Sequence, residues 1–126
     1  MVKISIGVPA LNNATNIRAM LQSVTEKTNE YKQGTDYELA VVDDGSFKSE
    51  AIEGIKKVAQ DFNAKYIRHE KNRGISAAWN SLASAHDSEY VVIFNDDVKI
   101  RDENWLKYLM FFFENNTDIG VVGFPL

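Results

Sequence analysis

No cysteine occurs anywhere in the chain. That excludes disulfides and thiolate metal sites, and it fits a reducing, cytoplasmic setting. Proline is almost as scarce, with two among 126 residues, and no Gly/Ser run or low-complexity tract interrupts the sequence. A single domain over residues 1–126 is expected, large enough for a real core. No apolar run reaches the ~18 residues of a membrane span. Met1-Val2-Lys3-Ile4-Ser5 opens on a strand pattern rather than on a secretory signal. Surplus positive charge is missing too: 14 Lys and Arg face 18 Asp and Glu, a net charge of −4. That balance argues against a nucleic-acid partner.

What the chain has is alternation. Lys3 to Val8 reads as a first strand ended by Pro9, Tyr37 to Val42 as a second stopped by Asp43-Asp44-Gly45-Ser46, and Lys65 to Arg68 as a short third. Between them, Ile17, Met20, Leu21 and Val24 repeat at helical spacing, as do Ile52, Ile55, Val58, Ala59 and Phe62. Ile75, Ala78, Trp79, Leu82 and Ala83 mark a third helix, with Trp79 read as core. Asp102 is expected to cap a fourth helix running to about Glu114, and Ile119 to Phe124 reads as a last strand. Strands alternating with helices imply βαβ units, a mainly parallel sheet and helices on both faces: an α/β fold of three layers. The fourth helix is apolar nearly all round. Leu106, Leu109, Met110 and Phe113 form one face and Trp105, Tyr108 and Phe112 a second, so a homo-oligomer through the 103–114 helix, or further chain, is expected to cover it.

The chain is organised around Val91-Val92-Ile93-Phe94-Asn95-Asp96-Asp97-Val98. An apolar run of this kind reads as a fully buried parallel strand. It ends in an amide and two carboxylates, at the strand end where open α/β sheets bind ligands. Adjacent carboxylates repel, and a divalent cation carrying a diphosphate relieves that repulsion. Asp43-Asp44-Gly45-Ser46 and Asn72-Arg73-Gly74 end the second and third strands, so all three clusters converge on one edge. His69 and His86, at element ends, read as structural rather than catalytic.

Four segments together resemble the successive motifs of glycosyltransferase family 2. They are Ile6-Gly7-Val8-Pro9-Ala10-Leu11-Asn12, Val41-Val42-Asp43-Asp44-Gly45-Ser46, Asn72-Arg73-Gly74-Ile75-Ser76-Ala77-Ala78-Trp79-Asn80 and Phe94-Asn95-Asp96-Asp97-Val98. The resemblance implies a Rossmann-like GT-A fold and an inverting, metal-dependent transferase that uses a nucleotide-sugar. By position, Pro9, Ala10, Leu11 and Asn12 would border the base and ribose, and Asp43 or Asp44 would accept a hydrogen bond from the base. Asn72, Arg73 and Gly74 would line the nucleotide pocket, with Arg73 pairing phosphate oxygens. Asn95-Asp96-Asp97 aligns with the family's D-x-D signature, with Asn95 in place of the first carboxylate. Asp97 becomes the main ligand of a Mg²⁺ or Mn²⁺ ion, and Asp96 contacts ribose or sugar or assists at the metal. The donor would be a UDP-, GDP- or dTDP-sugar and the acceptor a glycan, lipid or protein.

The sequence departs from the family in three further ways: Leu11 stands where many relatives have an aromatic, Trp79 stands where an arginine is frequent, and no carboxylate follows Asn12 in Asn13-Ala14-Thr15-Asn16. Family members carry a GT-A domain about twice this long, whose second half holds the acceptor site and the general base. The expectation is a truncated GT-A unit, the donor-binding half. The alternative is a non-catalytic nucleotide-binding or oligomerisation module of the same fold.

Overall fold

The computed structural model describes residues 2–123. Its elements run β1 (Val2–Ala10), α1 (Ala14–Glu26), β2 (Tyr37–Asp44), α2 (Ser49–Asp61), β3 (Lys65–His69), α3 (Ile75–Ala83), β4 (Ser88–Ile93) and α4 (Trp105–Asn115). The strands form one sheet in the order β3-β2-β1-β4, and every pairing is parallel. The three-layer α/β/α expectation holds. Ile4, Ile6, Val8, Leu39 and Val41 turn one face of the sheet toward α1, α2 and α4, where the larger core lies. The residues between them face the other way, and there Ala40 and Val42 meet Ala78, Leu82 and Ala85 of α3 and its following turn. Strand periodicity of two makes both faces apolar, as a sheet covered on both sides requires.

The helix stripes read from spacing are the buried ones in α1 and α2: Ile17, Met20, Leu21 and Val24, then Ile55, Val58 and Ala59. Strand ends differ from expectation. β1 continues through Pro9 and Ala10, paired with Val42 and Asp43. The Gly7 carbonyl points toward β4, where it accepts the Phe94 N–H at 2.9 Å. Pro9, two residues on, points the same way but past the end of β4, so its missing N–H costs no ladder bond. β2 likewise runs on through Asp43 and Asp44, and β3 through His69, because Asp44 pairs with His69 in register.

β4 is the main correction. It begins at Ser88 and stops at Ile93, and it is half-buried rather than buried, with Val91 39% exposed. Its place at the sheet edge leaves it one strand neighbour. Asp102 does not cap α4. Its carboxylate accepts the Asn104 N–H at 2.8 Å and its carbonyl the Trp105 N–H at 3.2 Å, closing a turn from which the helix starts. Ile119 to Gly123 form no strand, and Phe124 lies outside the described residues.

Trp79 is 44% exposed and Ile75 53% exposed, so neither is core. α3 applies its Ala78–Leu82 stripe to the sheet, which turns Ile75 and Trp79 toward the carboxyl edge. On α4, Trp105 joins the core and meets Phe94 edge-on at 5.4 Å between ring centres. Tyr108, Phe111 and Phe112 make the uncovered face instead. Because Phe111 is 68% exposed, Phe111→Ser is expected to change stability by less than about 0.5 kcal/mol in urea denaturation. A larger loss would mean that this ring belongs to a packed surface.

Candidate functional site

Adjacent residues of a strand point to opposite faces, so Asp43 and Asp44 cannot share one environment. Asp43 follows Val41 toward the larger core and is fully buried. One of its oxygens accepts the Ser46 N–H at 2.9 Å. The other accepts the Tyr66 hydroxyl at 3.1 Å and the Arg68 guanidinium at 2.9 Å. Arg68 also donates to the Ser46 carbonyl at 3.0 Å, locking the turn after β2. Burial, then the Asp43 carboxylate, push the Tyr66 phenol up, so it stays a donor. Asp43 ties the turn after β2 to β3 and has no exposed surface.

Asp44 follows Val42 toward the other face and is 6% exposed. Its Oδ1 accepts the Arg73 N–H and the His69 ring, each at 2.9 Å, and its Oδ2 accepts the Gly74 N–H at 3.1 Å. Desolvation pushes its carboxyl up, but the Arg73 N–H, the His69 ring and the Gly74 N–H together outweigh it and hold the pKa below the ordinary value. Asp44 is therefore ionised and accepts only. It also ties the loop after β3 to the end of β2.

The turn after β1 is braced from two sides. Asn12 sits at φ 53, where asparagine is tolerated. Its N–H donates to the Ser46 hydroxyl at 2.8 Å, and its side-chain oxygen accepts the Phe47 and Lys48 N–H groups at 3.2 and 3.4 Å. Asn13 accepts the Leu11 N–H at 2.9 Å and donates through its amide to Asp96. Asn13 was not singled out by its sequence context. Its only signal is a position in a cap-rich run, since its partner lies 83 residues away.

Between these turns lies a cleft of about 250 Å³. Pro9, Ala10 and Leu11 form its β1 wall and Asp44 its β2 contribution. Asn72 and Gly74 enter from the loop after β3, and Asn95 and Asp96 from the turn after β4. Ile75 and Ala78 complete it from α3. Four expected site residues do not line it. Asn12 is turned into the 46–48 loop, and Asp43 is buried behind it. Arg73 reaches Asp44 through its backbone and is otherwise exposed, as is Asp97 in its turn. Asn95 also borders a second, more apolar cavity of about 680 Å³ together with Trp79, Phe94, Val98 and Trp105. His86 lies apart from both and donates to the Leu39 carbonyl at 2.8 Å.

Several known proteins share this architecture. TarS from S. aureus, solved in complex with UDP-GlcNAc, superposes with a TM-score of 0.75 at 24% identity, covering 99% of this chain and 37% of that one. A mannosyltransferase from Pyrobaculum calidifontis, solved with GDP-Man and Mn²⁺, gives a TM-score of 0.74 at 21% identity over 88% of this chain and 32% of that one. These likenesses establish the fold as GT-A. Among curated sequences, the poly(ribitol-phosphate) beta-N-acetylglucosaminyltransferase TarP of Staphylococcus aureus is 29% identical over 98% of this chain and 36% of its own length. An uncharacterized glycosyltransferase of Haemophilus influenzae is 27% identical over 97% of this chain and 38% of its own. The chain thus spans 13 to 38% of the length of the curated relatives it matches. Residues 5–126 match the family described as Glycosyl transferase family 2, and the chain belongs to that family.

Proposed function

We propose that this chain is the donor-binding part of an inverting glycosyltransferase that holds a nucleotide-sugar with a divalent cation. The observation that carries the reading is the cleft at the carboxyl edge, where the ends of β1, β2 and β4 and the loop after β3 meet in a family 2 chain. The donor class is a UDP-, GDP- or dTDP-sugar, and complexes of structural neighbours with UDP-GlcNAc, UDP and GDP-Man support the first two.

Of the two candidate acceptors at the end of β2, Asp44 is the one that can read a base, because it is ionised and borders the cleft. Pro9, Ala10 and Leu11 offer an apolar wall for the base and ribose. Asn72 and Gly74 flank the nucleotide, and the exposed Arg73 guanidinium is available to the diphosphate. Asn95 and Asp96 stand where ribose or sugar hydroxyls would be held.

Among the described residues no three His, Cys, Asp or Glu side chains are grouped to hold a metal. Asp96 lines the cleft and the adjacent Asp97 is exposed in the same turn, so both offer oxygen donors of the kind a hard cation takes. Mg²⁺ is commonly bound through one or two carboxylates, with substrate phosphates and water completing the shell. Asp97 would be the main ligand and Asp96 the assistant, with the Asn95 carbonyl as a neutral oxygen donor. An ion held there would supply positive charge against the diphosphate and so favour departure of the nucleoside diphosphate. Inversion further needs a general base that removes the acceptor hydroxyl's proton opposite the leaving group. We assign that base, and the glycan, lipid or protein acceptor, to a part of the enzyme beyond these residues.

Calorimetric titration with UDP, GDP and dTDP, with and without Mn²⁺, tests the proposal. At least one nucleotide should bind more tightly with metal present, and Asp97→Ala should erase the difference while leaving the fold intact. Binding that ignores Mn²⁺ in the native chain would sink the metal assignment. Absence of any nucleotide binding would leave the oligomerisation module as the better reading.

A further inference from the structure

A carboxylate that reads a ring N–H must hold one lone pair in a fixed direction. Asp44 offers about four acceptor positions. Three are taken, by the Arg73 N–H, the His69 ring and the Gly74 N–H. The first and last of these come from the loop after β3, which itself borders the cleft. His69 differs in kind. It is the last residue of β3, in register with Asp44, and 7% exposed. Among the described residues it is the only side chain that donates to Asp44.

The protonation pattern follows from the partners. Asp44 is ionised and can only accept, so Nδ1 of His69 carries the proton it shares with Oδ1 at 2.9 Å. Nε2 faces the Ser81 hydroxyl at 2.8 Å, and in the neutral ring it is bare and accepts from that hydroxyl. Ser81 lies on α3, the helix packed on this face of the sheet. The ring is therefore fixed at both nitrogens by two different elements. Such a hydrogen bond orients the group beyond it, as a second-layer partner orients a metal ligand.

We propose that His69 is a positioning residue for the donor pocket: held by Ser81, it fixes the Asp44 carboxylate so that its remaining lone pair meets a nucleobase ring N–H. The inference rests on the nucleotide-sugar reading above. It does not require His69 to touch the nucleotide.

Two substitutions separate positioning from mere filling. In His69→Asn the amide nitrogen stands where Nδ1 stood and can still donate to Asp44. In His69→Phe the ring volume stays and the donor is lost. A hydrogen bond to a charged group is strong enough that His69→Phe should weaken nucleotide binding by about tenfold or more in the presence of Mn²⁺. His69→Asn should recover most of that loss. A structural role alone predicts the reverse order, because phenylalanine packs better than asparagine in a buried place. In ligand-free protein the Asp44 carboxyl carbon, followed by NMR, should titrate at higher pH in His69→Phe than in wild type, because a donor to the ionised form is lost. Whenever the wild-type imidazole is neutral, its proton should sit on Nδ1 and not on Nε2, an observation that needs no substitution.

The opposite tautomer, or an Asp44 titration that His69→Phe leaves unmoved, would overturn the proposal. Nucleotide binding equally tight in wild type and His69→Phe would overturn the role of His69 alone. A wild-type chain that binds no nucleotide overturns the donor-site reading and this pocket role with it.

Discussion

Gly45→Ala is expected to cost about 2–6 kcal/mol of folding free energy, combining left-handed backbone strain with overpacking. Gly45 sits at φ 84 in the turn after β2. A Cβ there would stand 2.2 Å from the Asn72 nitrogen, 2.6 Å from the Lys71 carbonyl carbon and 2.8 Å from the Asn72 Cα. All three atoms are backbone, so no rotamer change relieves the contact. Relief would require moving the loop that also donates two N–H groups to Asp44. Gly34→Ala is the control: its φ of 91 carries the same kind of strain, but nothing lies within 4 Å. Urea denaturation should show a small midpoint shift for Gly34→Ala and a several-fold larger one for Gly45→Ala. Equal shifts would mean that the loop at Asn72 yields freely. Since a domain of this kind has about 5–15 kcal/mol in total, the variant would be marginal.

Asp44→Asn should lower stability by about 2–4 kcal/mol and nucleotide affinity by about a hundredfold or more. Three donors converge on a side chain whose substitute has one acceptor oxygen. With the amide oxygen on the Arg73 and His69 side, the new NH₂ opposes the Gly74 N–H; with the amide flipped, it opposes two donors. The pH dependence carries a sign that distinguishes lost charge from lost shape. The Asp44 carboxyl is held below its ordinary 3.8 in the folded chain. Its contribution is therefore complete above that ordinary value and is lost as pH falls through the folded value. The gap in stability between wild type and Asp44→Asn should narrow as the solution is acidified. A gap of constant width from neutral to strongly acidic pH would show that the carboxylate's charge is not what the three donors hold.

Much of the fold is legible in the sequence because it is a matter of local period. Ile17, Met20, Leu21 and Val24 identify a buried stripe from spacing alone, and their burial bears this out. The edge on which the acidic and amide turns meet follows from strand polarity in a parallel sheet. What could not be read depends on sheet order and register. Val91, Val92 and Ile93 have the composition of a central strand, yet the order β3-β2-β1-β4 places them at the margin. Trp79 has helical spacing with Leu82, but only the packed helix shows which stripe the sheet receives. The division between Asp43 and Asp44 follows from alternation once β2 is known to include both. With the strand ended at Val42, as the acidic run suggests, the two are equivalent. His69 had no sequence signal, because its partner is set by the pairing of two strands whose ends lie 25 residues apart.

The exposed margin of β4 has one more consequence. From Ser88 to Ile93 its outer peptide groups face no strand among the described residues, while Lys3 and Glu89 pair across to β1 at 2.9 Å. Such a row is a template for another extended chain, and whatever covers it must leave no buried N–H or C=O group without a partner. A strand satisfies the whole row at once, whereas a loop or helix covers it only where side chains or water meet the remaining groups. Until one is supplied, concentrated protein is exposed to edge-to-edge aggregation, and Val91 is the natural place for a charged gatekeeper in expression work.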